Sequence, residues 1–333
     1  MKTNTKLTAV EIGSLWSQYM NDSMTICTLD YFMHTVQDQD VKSICEFVLR
    51  ASKERLQTII EVFNGESIPI PLGFTQDDVD SSAPPLYSDV FLLHFLKHLS
   101  KIGLSGYGLA LSLMTRSDLR KLFYGCIRFS AELNERVTQT LLFKGLFSNP
   151  PYIPIPDKVE FVKSPSFLAG FLQEKRPLNA LEIMHLYANQ QTNAMGSALA
   201  MGLSQVARSK EVREFLFRGH EIAQKHVQIF NSFFIHDNLS APATFDSEVS
   251  ASTMPPFSDK LMMLQISALI ATSMSNYGIA LGVSTRVDLA VDYGRLMVEI
   301  AQYGEDGMHI MIKNQWFEQP PQAADRRELA LQR

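Results

Sequence analysis

The chain is poor in the residues and patterns that usually announce chemistry. It has three cysteines in 333 residues, Cys27, Cys45 and Cys126, all in the first half and none in a C-x-x-C spacing. That excludes a thiolate metal knuckle and a disulfide scaffold. No P-loop, GxSxG elbow, HExxH helix or GxGxxG turn is present. Positive charge is not in excess: 30 Lys and Arg stand against 35 Asp and Glu, for a net charge of −5. No nucleic-acid partner is therefore expected, because phosphate binding needs a basic face. Apolar runs reaching the roughly 18 residues of a membrane span are missing too. The apolar stretch over 88–112 is broken by His94, Lys97, His98 and Lys101, and no membrane association is expected. These four read as a wet helix face. Met1 to Lys6 is polar and leads into an amphipathic stretch, so no signal peptide is expected. With reduced thiols, this points to a cytoplasmic protein.

What the chain has instead is itself, twice. Residues 7–151 return, diverged, as 178–321. Leu7 to Ile12 matches Leu178 to Ile183. Tyr107-Gly108, followed by Thr115-Arg116 and Asp118, matches Tyr277-Gly278, followed by Thr285-Arg286 and Asp288. A repeat this long is a duplicated domain rather than a solenoid unit. Each copy is a control on the other. Cys27, Cys45 and Cys126 are replaced by Ala198, Leu216 and Leu296, so the thiols occupy packing positions.

Each copy predicts four long helices. The first opens on a capping box, Thr8-x-x-Glu11 or Asn179-x-x-Glu182, which accounts for both glutamates. The second begins near Asp38 or Ser209, the third at Ser88-Asp89 or Ser258-Asp259. The fourth begins at Thr115 or Thr285, with threonine as the expected cap. Short turns make helices 1 and 2, and helices 3 and 4, antiparallel pairs. The Pro-rich segment from Gly65 to Tyr87 is long enough to run back along the bundle, which makes helices 2 and 3 parallel. The predicted fold is all-α: a tandem duplication of a ferritin-like four-helix bundle with one long crossover per bundle. Residues 1–149 form the first bundle, 150–177 a Pro-rich linker lying extended on the bundles, and 178–333 the second bundle.

Several segments carry a family resemblance: PPYIPIPDKVEFV between the copies, EKRPLNALEI opening the second, and NDSM, GLSGYGLALS, PPFSDKLMM, NYGIAL and MIKNQWFEQPP elsewhere. Together they resemble a Bacillus-type duplicated family of unknown function. That resemblance implies a ferritin-like fold. Some members carry the label "putative spore coat protein", which implies a sporulation or spore-coat association. It implies no catalytic residues.

A ferritin-like frame raises the question of a di-metal centre, which needs Glu-x-x-His on two helices. Copy one has none, and copy two has one, Glu182-Ile183-Met184-His185, whose glutamate the capping box already accounts for. Glu305 and His309, a looser pairing at i+4, fall on an outer face. No cofactor is predicted.

The interior positions differ between the copies in a coordinated way. In copy one, Asp22 and Arg55 project from core faces at matching depth and read as a structural ion pair. Copy two has Asn193 and His226 there, joined by Gln190, Thr272, Asn276 and Tyr293. This set has two readings: an internally bonded, water-assisted network, or a ligand-binding pocket for a small polar molecule. Any metal would contact His226.

The third helix of copy two is apolar nearly all round, and its outer face carries Leu264, Ala268 and Ala271. A face of that kind needs a cover: the linker, copy one, or a second chain. Two functions follow. The first is a non-enzymatic structural or interaction protein, with a protein partner or self-association through this face. The alternative is a small polar-ligand or metal-binding protein using the second bundle's interior.

Overall fold

The computed structural model describes residues 6–170 and 175–331. Copy one forms α1 (Ala9–Thr35), α2 (Gln39–Gly65), α3 (Asp89–Leu113) and α4 (Ser117–Phe143). Copy two forms α5 (Ala180–Val206), α6 (Lys210–His236), α7 (Asp259–Val283) and α8 (Val287–Lys313). A short α9 (Arg326–Leu331) follows. Among the described residues there is no strand, only two isolated β-bridges.

Both capping boxes form, and their glutamates do more than cap. Glu11 accepts from Thr8 N at 2.8 Å, and also from the amides of Thr115 at 2.9 Å and Arg116 at 2.8 Å. Glu182 likewise accepts from Thr285 Oγ1 at 2.9 Å and Arg286 N at 3.1 Å. The expected threonine caps are therefore corrected. Arg116 and Arg286 precede α4 and α8 with no side-chain cap, because a carboxylate from the first helix takes the free amides there.

These contacts fix the directions. Asp89, the first residue of α3, accepts from the amides of Gln37 at 3.0 Å and Asp38 at 2.6 Å, in the α1–α2 turn. Helices α2 and α3 thus start from one end and run parallel, while Glu11 makes α1 and α4 parallel. Asp259 repeats the arrangement with Arg208 at 2.9 Å and Ser209 at 2.8 Å. Each copy has one long crossover, as the sequence predicts.

The two crossovers clasp each other about a pseudo-twofold axis. Asp80 N donates to Pro256 O at 2.8 Å and Ser258 N to Asp78 O at 2.9 Å. Ser88 N donates to Glu248 O at 3.0 Å and Ser250 N to Leu86 O at 2.9 Å. The N-cap serines of α3 and α7 also exchange partners, Ser88 Oγ with Glu248 and Ser258 Oγ with Asp78. One continuous apolar core runs through both copies, from Leu15 to Met311, and a second closes the far end of copy two. At the junction Tyr87 donates to Leu199 O at 2.7 Å, and its ring lies on Gly202, where a Cβ would approach ring atoms to 2.6 Å.

The linker touches the bundles at its ends and turns outward between them: Arg176 bonds Glu182 at 2.7 Å and Lys175 pairs with Asp288 at 3.0 Å, while Ile155 is 91% exposed. Its prolines hold the middle extended and remove amide donors there. Part of the predicted linker, residues 171–174, lies outside the described residues. Helix α7 is the one described helix long and apolar enough to cross a membrane. It packs between α5 and α8.

Candidate functional site

The second bundle's polar interior is a closed relay. Asn193 Nδ2 donates to Tyr277 Oη at 2.7 Å, and Tyr277 Oη stands 3.0 Å from His226 Nδ1. His226 Nε2 lies 3.1 Å from Glu299 Oε2, which Lys225 also holds, at 3.0 Å. Since Tyr277 already accepts from Asn193, its hydroxyl proton points to Nδ1, and Nε2–H faces the carboxylate. That is one self-consistent neutral tautomer. Burial lowers the pKa of His226, with Glu299 opposing. Both ring nitrogens are occupied, so neither is free for a metal.

The other members disperse. Gln190 Nε2 donates to Pro242 O at 3.1 Å, in the crossover. Thr272 bonds its own helix at Ala268 O, 2.8 Å away. Asn276 is half-buried. Tyr293 is buried with its ring 5.9 Å from that of Tyr277, and its hydroxyl faces the buried amide of Asn189 without a well-aligned hydrogen bond. The space beside Asn193 and Ser273 is about 50 Å³, room for a water. Tyr277 and Glu299 are missing from the sequence-based set. The Tyr-Gly pair shared by both copies marked the first, and the exchange of Phe129 for Glu299 marked the second.

In the first bundle Arg55 meets Asp22 in a two-point pair, Nη2 to Oδ1 at 2.7 Å and Nε to Oδ2 at 3.2 Å. Ser52 Oγ accepts from Nη2 at 3.0 Å, Gln18 donates to Asp22 at 2.7 Å, and the guanidinium lies 4.7 Å from the Phe129 ring centre. Burial alone would lower the Arg55 pKa; the Asp22 carboxylate reverses this and raises it. Both carboxylate oxygens of Asp22 are matched, as a buried pair requires.

The open space lies beside this pair, not in the second bundle. A cleft of about 490 Å³ separates α1 from α3, with Asp22, Arg55 and Gln18 in its wall and Leu99, Ile102 and Phe123 among its apolar lining. Small residues create it. A Cβ on Gly13 or Gly106 would meet nothing within 4 Å. The counterparts in copy two are Met184 and Asn276, and Ser14 is replaced by His185. Gly103 does another job: it lets α3 approach Ser130 of α4, whose Oγ would lie 2.3 Å from a Cβ. In copy two these positions carry larger side chains, Met184 exposed and His185 and Asn276 half-buried, and the open space there is only about 50 Å³.

Glu305 and His309 are exposed, and Glu182 of the Glu182-x-x-His185 run is held by Arg176 and by the start of α8. Among the described residues no group of three or more His, Cys, Asp or Glu side chains is arranged to hold a metal ion. As for the apolar face of α7, copy one covers part of it. Gln265 Nε2 donates to Thr28 Oγ1 at 2.9 Å and Ala268 lines the first bundle's cleft. Leu264 is half-buried, and Ala271 is exposed.

Two clasped four-helix bundles, with interiors held by an ion pair and by an amide–phenol–imidazole relay, define a duplicated all-α bundle protein. The chain belongs to the family described as "Protein of unknown function (DUF3231)", which matches residues 1–159 and again 166–329. Among solved structures, a "putative spore coat protein" from Bacillus halodurans C-125 is similar at 15% identity and a TM-score of 0.41. That similarity covers 45% of this chain and 98% of the other. No curated protein matches the sequence.

Proposed function

We propose that this chain is a non-enzymatic structural or interaction protein on a ferritin-like frame, made in the cytoplasm and associated with the spore. The observation that supports the non-enzymatic part is the destination of its buried carboxylates. Asp22 is bound by Arg55, and Glu11 by the amides that open α4. Glu182 is bound by Arg176 at 2.7 Å, and Asp288 by Arg286 at 2.8 Å. A redox di-metal centre needs carboxylates converging on the bundle axis; here each is committed to a cation or a helix end. The spore association rests on the sequence resemblance. Protein purified from cells supplied with iron and manganese should carry only substoichiometric metal. A tagged chain made in a sporulating Bacillus host should fractionate with the coat. Two bound metals per bundle, or recovery only from the soluble mother-cell fraction, would overturn the respective parts.

The first bundle's cleft favours a second reading, a binding protein for a small, largely apolar, uncharged molecule. Its volume of about 490 Å³ is that of a small-molecule site, and the ion pair in its wall is already neutralised. N-phenyl-1-naphthylamine, an uncharged dye that brightens in apolar surroundings, should bind the intact protein. The Gly13→Met and Gly106→Asn double variant, which restores copy two's bulk, should abolish the signal. An unchanged signal in that variant would end this reading.

A further inference from the structure

The stripe of His94, Lys97, His98 and Lys101 on α3 is not the wet face its sequence suggests. The pseudo-twofold packs α3 beside α5, and the start of the linker lies over the junction. His98 is left 6% exposed, and Lys101 and His94 half-buried. The His94 ring sits 4.5 Å from that of Phe245. All four residues line one small, partly open pocket of about 80 Å³, together with Ser148, Tyr187 and Gln191.

The electrostatics of this space are one-sided. No carboxylate is in its lining. Lys97 is held by neutral groups only, Asn134 Oδ1 at 3.0 Å and Thr138 Oγ1. Among the described residues neither Lys97 nor Lys101 has a salt bridge. His98 Nε2 is buried with no hydrogen-bond partner. The nearest acids act from a distance and are engaged elsewhere: Glu135 with Gln139 at 2.9 Å, and Glu248 with Ser88. Buried positive groups without a counter-charge are costly, and buried imidazole nitrogens are normally bonded. One oxyanion would serve all of them through charge-assisted bonds. We propose that this junction pocket between α3, α5 and the linker is a binding site for a single small oxyanion, phosphate or sulfate, held by Lys97, Lys101 and His98. Its volume of about 80 Å³ matches a free ion and leaves no room inside for a nucleoside. The titration behaviour agrees with a cationic cluster that lacks a protein counter-charge: burial, with Lys97 beside it, lowers Lys101 to about 8. Burial, with Lys101 beside it, lowers His98 to about 3. Copy two has Leu264, Ser267, Ala268 and Ala271 at the matching positions, so the chain has one such site and not two.

Calorimetric titration of the full chain with inorganic phosphate, paired with thermal melts against chloride at equal ionic strength, tests this. Phosphate and sulfate should bind and raise the melting temperature; chloride should not. Lys101→Met should weaken phosphate binding by about tenfold or more. Without anion the same variant should melt no lower than the parent, since it removes an uncompensated charge. Lys101→Arg should keep the affinity, which separates loss of charge from misfolding. Equal stabilisation by chloride and phosphate, or a phosphate response that survives in Lys101→Met, would overturn the site. Glycerol 3-phosphate binding as tightly as phosphate would overturn its assignment to a free ion.

Discussion

Single residues decide how each bundle handles polarity at its centre. Asp22 and Arg55 form a buried pair in one copy, while Asn193 and His226 sit at the same positions in a neutral relay. Arg55→Leu strands the Asp22 carboxylate, whose side chain is 2% exposed, and should cost about 3–5 kcal/mol in urea unfolding. Asp22→Asn with Arg55→His should recover part of that loss. Full recovery should need Phe129→Glu as well, because His226 leans on Glu299 and copy one has an aromatic ring there. A double variant no more stable than Arg55→Leu alone would show the two side chains to be energetically independent. This pairing was legible in the sequence, since both charges fall on core faces and both change together. Tyr277 was harder to see. A tyrosine on an apolar face reads as packing until its hydroxyl's neighbours are known.

At the scale of elements, caps mark six of the eight long helix starts, because Ser, Thr, Asn and Asp before an apolar period have one common use, and connection lengths give the directions. The spacing between helices has no such signal. Periodicity says which face of α1 and of α3 turns inward, but not how far apart those faces stand. The cleft exists because Gly13, Ser14 and Gly106 leave it unfilled, and only comparison with Met184, His185 and Asn276 hints at it. The junction between copies leaves no mark in periodicity, which is why the basic stripe of α3 looks solvent-facing in the sequence and is half-buried in the fold. Glycine marks the closest contact there. Gly202→Val should destabilise by about 1–3 kcal/mol, because its Cβ meets the Tyr87 ring at 2.6 Å. Gly196→Ala on the same helix meets only Leu269, at 3.9 Å, and should be neutral or stabilising by about 0.5–1 kcal/mol. Equal melting temperatures for the two variants would show that the junction yields without cost.

The whole molecule should be acid-sensitive in two steps. Burial lowers the pKa of four histidines: His94 to about 4, His98 to about 3, and His185 and His226 in the same direction. As pH falls through about 6.5, the unfolded chain takes up protons that these folded sites refuse, so stability drops. Glu11 adds a lower window. Burial would raise its pKa, yet the amides of Thr8, Arg116 and Thr115 hold it near 2, well below the ordinary 4.5. Its contribution is complete above about 4.5 and is lost towards pH 2. Chemical-denaturation midpoints between pH 8 and 5 should fall, and His98→Gln with His226→Gln should flatten the slope. A flat profile in the parent would show these rings protonated in the fold.

The clasped crossovers give the chain the geometry of a homodimer whose subunits share one polypeptide. In a true homodimer, any substitution appears on both sides of the axis. A basic pocket would then come with a second basic pocket, and a cleft with a second cleft. Covalent fusion lifts that constraint: one side of the axis can keep lysines while the other keeps alanines. The asymmetries of this molecule, in its cleft, its relay and its cationic junction, are of the kind that only a broken symmetry permits. A single substitution here tests one site, where in a symmetric assembly it would alter two at once.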